Sequence, residues 1–164
     1  MGTVRVLAWF GLAACAGCHG ATMPMSQLQI REMQTRSYEI KDAKRAMKAV
    51  LNVLQDEAFI PRQASVELGF IHAVKEVDVT NGNEAFWAKF WEGRNARYRK
   101  NSVVECAANV TPIANGIRLR VNFQVKVLNN HGEVISVQAI QDPAIYQYFL
   151  QKVDKGIYYE KQGI

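Results

Sequence analysis

Between Gly116 and Asn130 the chain reads GIRLRVNFQVKVLNN, in which Ile117, Leu119, Val121, Phe123, Val125 and Val127 alternate with Arg118, Arg120, Asn122, Gln124 and Lys126. A period of two held over eleven residues does not suit a helix, whose faces repeat every ~3.6 residues. It describes a long strand with one buried and one wet face. Such a strand commits the chain to a sheet with a covering layer.

The neighbouring segments extend that sheet. SVVECAANVTPI (Ser102 to Ile113) is predicted as a partner strand, joined through Ala114-Asn115-Gly116, where Asn-Gly favours a hairpin turn. Asn129 to Gly132 then turns the chain into EVISVQAI (Glu133 to Ile140), which completes a three-strand antiparallel meander. Asp142-Pro143 opens a helix with the apolar stripe Ile145, Phe149, Leu150 and Val153, and Lys155-Gly156 is expected to close it.

Upstream, LQIREMQTRSYEI (Leu28 to Ile40) has the partial alternation of a strand. Asp42 caps an amphipathic helix ending near Asp56. Its buried face is Ala43, Ala46, Met47, Val50, Leu51 and Leu54, its wet face Lys44, Arg45 and Lys48, and Pro61 is expected to stop it. ASVELGFIHAVKEVDV (Ala64 to Val79) is either two short strands or one strand bulged at Gly69, and Thr80 to Asn83 is a turn. The order predicts an α+β domain: an antiparallel sheet of about five strands, with helices packed on one face.

Composition agrees with one packed domain. Over 164 residues, 49% are hydrophobic and 21% charged, which excludes global disorder. Lys plus Arg exceed Asp plus Glu by 20 to 15, a mild basic balance suited to anionic lipid heads or an acidic partner surface. Three cysteines do not make a disulfide scaffold. His19, His72 and His131 lack metal-ligand spacing, and no nucleophile elbow, P-loop or dinucleotide fingerprint occurs. The chain is therefore expected to be non-enzymatic and to carry no metal or cofactor.

The most unusual stretch is NEAFWAKFWEGRNARYRK (Asn83 to Lys100). Phe86 and Phe90, and Trp87 and Trp91, pair at helical spacing, and Arg94, Arg97, Arg99 and Lys100 follow. The pattern suits a surface that docks aromatics into a partner pocket or the lipid interface and sets cations on an acidic rim. The competing expectation is that the aromatics belong to the core, with a solvated basic loop behind them. No nucleic-acid-binding motif is present, and nucleic acid is not expected as a partner.

The N-terminus holds two overlapping motifs. Cys15-Ala16-Gly17-Cys18-His19 has the form of a c-type haem attachment site, and Leu12-Ala13-Ala14-Cys15 resembles the lipobox that ends a bacterial lipoprotein signal peptide. Haem attachment needs both thiols. Cutting after Ala14 puts Leu12 where ordinary signal peptidase prefers a small residue, and cutting after Ala16 discards Cys15. Lipidation avoids the conflict: Arg5, the apolar run Val6 to Ala14, the small pair and Cys15 follow one another in lipoprotein order.

The resemblance implies a signal peptide over residues 1–14, acylation at Cys15, a tether over 15–27 and a single domain over 28–164. With Ala16 rather than Asp after the cysteine, it implies sorting to the outer membrane, anchored by acyl chains contributing ~0.8 kcal/mol per buried methylene. A looser similarity over residues 31–79 to accessory lipoproteins of large outer-membrane assemblies, including type IV-like secretion cores, carries no residue with an assigned role. It implies an assembly component of an envelope complex. The alternative is a carrier or sensor of a small apolar ligand held between sheet and helix. Cys18 and Cys106 are candidates for a disulfide in an oxidising compartment.

Overall fold

The computed structural model describes residues 25–77, 102–129 and 131–163. In chain order its elements are α1 (Gln27–Met33), β1 (Thr35–Tyr38), α2 (Ala43–Asp56), β2 (Ile60–Ser65), β3 (Phe70–Val77), β4 (Ser102–Ile113), β5 (Gly116–Leu128), β6 (Val134–Ala139) and α3 (Pro143–Gln162). The strands form one six-stranded sheet, every pairing antiparallel. The fold is α+β.

The alternating strand β5 is the axis of the sheet. β4 pairs with it along its length, from Ile113↔Gly116 to Ser102↔Val127. On its other edge β1 takes Ile117 to Arg120 and β6 takes Gln124 to Leu128, so two short strands lie end to end beside one long one. β3 and then β2 continue the sheet beyond β4.

Ile117, Leu119, Val121, Phe123 and Val125 are buried beneath α2 and α3, together with Val104, Cys106, Ala108 and Val110 of β4. Phe123 is the centre of this core. Its ring meets Phe149 edge-on at 5.2 Å, Tyr146 at 5.5 Å and Phe59 at 6.0 Å. Side chains thus occupy the space between sheet and helices at the middle of the domain.

Helix α2 begins where the sequence places it. Asp42 accepts from the Arg45 backbone N–H, and Ala46, Met47, Ala49, Val50, Val53 and Leu54 face inward. Its end has another cause than Pro61. Ala58 adopts φ +60° and Phe59 N–H bonds back to the Leu54 carbonyl, which closes the last turn in a left-handed cap. Pro61 sits on the edge strand β2, where a missing N–H is tolerated.

Three further expectations are revised. Leu28 to Ile40 is not one strand. Ser26 and Gln29 form a reciprocal capping box that starts α1, and only Thr35–Tyr38 is extended. Gly156 does not end α3, because Ile157 continues the buried stripe and the helix runs to Gly163, which has φ +74°. A Cβ at Gly156 would stand 3.4 Å from Ala49 Cβ, so the glycine marks the close approach of α3 to α2. Gly116 opens β5 rather than sitting within the turn formed by Ala114 and Asn115. Its φ is +150°, and a Cβ there would lie 2.0 Å from the Tyr38 carbonyl oxygen. Of the stretch Ala64 to Val79, only Ala64 and Ser65 belong to β2, which begins upstream at Ile60, and Phe70–Val77 forms β3 after a turn through Gly69; Asp78 and Val79 lie outside the described residues.

Candidate functional site

The second face of β3, β4 and β5, turned away from α2 and α3, carries the polar half of the alternation. Glu105 on β4 stands opposite Gln124 on β5. It accepts from Gln124 Nε2 at 2.6 Å and from Lys126 Nζ at 2.8 Å, and His72 Nε2 on β3 lies 4.0 Å away. Partial burial pushes the Glu105 carboxyl up, but the bonds from Lys126 and Gln124 outweigh it and hold the group below its ordinary value. The result is a fixed, ionised carboxylate bound to a cation and an amide across two strands. Among the described residues, no group of three or more His, Cys, Asp or Glu is placed to hold a metal ion.

A second polar cluster closes the other end of the helix layer. Glu57, just past α2, accepts from the Tyr148 hydroxyl at 3.1 Å and pairs with Lys152 on α3. The buried Lys75 of β3 donates to the Glu57 carbonyl at 3.0 Å, placing its charge at the negative end of α2. The partners of Glu57 lie 18 to 95 residues from it in the chain, so no spacing rule reveals the cluster.

A third polar feature joins the two short edge strands. Between β1 and β6 the outer edge of β5 has a gap, at Phe123. There the Tyr146 hydroxyl accepts from the Phe123 N–H at 3.3 Å and from Gln34 Nε2 at 3.4 Å, and donates to the Ile140 carbonyl at 2.8 Å. One phenol does the hydrogen bonding that a strand would otherwise do, and burial pushes its pKa up.

Edge strand β6 is built differently. It contains no charged residue, pairs only with β5 among the described residues, and exposes Val134, Ile135 and Val137 at 51%, 64% and 52%. The β2–β3 turn exposes Val66 and Leu68. An uncharged, β-prone edge of this kind is a template for pairing with another extended chain, which native proteins ordinarily blunt with charge or proline.

Several sequence-derived candidates fall elsewhere. Cys15, Cys18 and His19, and the docking candidates Phe86, Trp87, Phe90, Trp91, Arg94, Arg97 and Arg99, lie outside the described residues, as does the expected turn at Thr80 to Asn83. Cys106 is fully buried on the helix side of β4, and burial pushes its thiol well above the ordinary range, which leaves it unreactive. Among the tyrosines of α3, Tyr146 is core, whereas Tyr158 and Tyr159 are exposed. No helix among the described residues is long and apolar enough to cross a membrane. No family model matches the chain, and no curated protein matches it.

Proposed function

We propose that this chain is a non-enzymatic, lipid-anchored envelope protein that helps to assemble or stabilise an outer-membrane complex by docking a partner polypeptide. The observation that carries this reading is the uncharged β6 edge, where Val134, Ile135 and Val137 stand exposed beside a fully packed core. Its complement is an extended partner segment with alternating apolar residues, added as a further strand. Backbone bonds would supply the affinity, and Val134 and Val137 the side-chain contacts.

The lipobox at Cys15 supports attachment to the membrane, and the mild basic balance supports contact with an acidic partner or lipid surface. The aromatic and basic stretch from Phe86 to Arg99 is proposed as a second contact on the same partner.

The test is photo-cross-linking in cells, with the photoreactive residue at Ile135 or Val137 and, as control, at Lys44 on the wet side of α2. Adducts with envelope proteins from the β6 positions, absent from Lys44, are expected. Equal labelling from all three positions, or none, overturns the docking role. In parallel, labelled palmitate should enter the native chain and not the Cys15→Ser variant. An unacylated native chain overturns the anchor.

A further inference from the structure

Among the described residues, β6 is the sheet edge that carries neither charge nor proline. The opposite edge, β2, holds Pro61 and Arg62, and β1 is pinned by the ion pair of Arg36 with Asp154. The ladder with β5 fixes how β6 presents its backbone. Ile140 N–H donates to the Phe123 carbonyl at 2.9 Å, and Ser136, Val137, Gln138 and Ala139 stand opposite Val127, Lys126, Val125 and Gln124. Backbone groups alternate sides along an antiparallel strand. Gln138 and Ser136 therefore bond toward β5, whereas Val137 and Ala139 turn their N–H and C=O groups outward. Side chains alternate too: Val137 and Ala139 share the second face with Lys126 and Gln124, and Ser136 and Gln138 lie on the helix side.

We propose that the strand added to β6 is the β6 of a second copy of this chain, paired antiparallel across a twofold axis at Val137. The inference rests on the reading of β6 as a docking edge and names its occupant. An axis at that position sets Val137 opposite the partner's Val137, Ile135 opposite the partner's Ala139, and Ser136 opposite the partner's Gln138. Apolar residues meet on one face and polar residues on the other, so the strand is its own complement. Val137 is 52% exposed and has surface to bury at the axis. No like charges are stacked, because β6 has none and Lys126 beside Val137 is bound to Glu105 at 2.8 Å. A pair of six-residue strands is small beside the ~1,200 Å² that stable complexes bury, so the pairing depends on concentration.

The test uses the full chain, concentrated in a neutral sugar detergent, with Cys15→Ser and Cys18→Ser. That background is independent of acylation and leaves only the buried Cys106 thiol. Single cysteines replace Ile135, Val137, Ala139 and, as control, Lys44, and each protein is oxidised. A disulfide needs Cα atoms within about 7 Å. The axis grants this to position 137, whereas position 135 stands four residues, roughly 13 Å along the strand, from its own copy. Disulfide dimers of Val137→Cys should therefore exceed those of the other three by about tenfold or more. In sedimentation, the same background without added cysteine should self-associate as concentration rises. Adding Val137→Lys, which sets two cations at the axis, should keep it monomeric. Equal disulfide yields, a maximum at another position, or identical sedimentation of the two proteins overturns the pairing. The docking role is judged separately. Envelope adducts from a photoreactive residue at Val137, without self-adducts, leave that role standing and remove the second copy as its occupant.

Discussion

Strands β1 and β6 share one edge of β5, and they are opposites. β1 carries Arg36, which pairs with Asp154 of α3 at 2.6 Å, and Tyr38, which packs on the core. Its approach is tied down by Gln34, whose carbonyl accepts from the Val121 N–H. β6 has no charge and leaves three branched apolar residues exposed at more than half their surface. The β1 end is tied to α3, whereas the β6 end keeps its apolar side chains in water. The difference is what the proposed division between stability and recognition rests on. A strand that contributed only to folding would be expected to carry polar residues on an exposed edge, as native sheets ordinarily do.

The largest effect should come from breaking the joint between the two ends. Tyr146→Phe keeps the ring in the core but leaves the Phe123 N–H and the Ile140 carbonyl without their partner. Urea unfolding should show a loss of about 2 kcal/mol. A loss under about 0.5 kcal/mol would mean that water replaces the phenol and the joint carries little.

A smaller effect is expected from Glu105, which binds Gln124 and Lys126 on the half of β5 that β6 pairs with. Its folded-state pKa lies below the ordinary value of 4.5. The stabilisation is therefore present above that value and is lost as pH falls through the folded pKa. Between pH 5 and pH 3 the native chain should lose more unfolding free energy than Glu105→Gln, by up to about 1 kcal/mol, since Lys126 is partly exposed. Parallel pH profiles would show that the network does not brace this end.

The smallest change in stability belongs to Val137→Lys. An exposed edge position should shift unfolding by no more than about 0.5 kcal/mol. The same substitution should sharply reduce recovery of envelope partners in affinity purification, because a charge on the edge opposes strand addition. Partner recovery equal to that of the native chain would remove β6 from the docking surface and collapse the contrast with β1.

Where local chemistry was strong, the elements were legible. The alternation of β5, the Asp42 cap of α2 and the Asp142-Pro143 start of α3 all lie where their residues indicate. Two of the misreadings share one cause, a residue doing a tertiary job that resembles a local signal. Gly156 looks like a helix stop and is a contact between helices; Pro61 looks like a breaker and belongs to an edge strand. The Ser26–Gln29 capping box was present in the sequence, and the apparent alternation after Leu28 masked it.

By itself the sequence determined the α+β class, the amphipathic faces and the order of the C-terminal strands, because periodicity and caps act within a few residues. Only the tertiary structure decided that β1 and β6 would share an edge, that Tyr146 would bridge them and that the Arg120 Nε–H would be buried without a partner. Those features depend on groups brought together across the chain, from 23 residues in the Phe123–Tyr146 bond to 112 in the Gln34–Tyr146 bond. Local pattern carries no information about which distant backbone group will be left wanting a partner, and packing alone settles it.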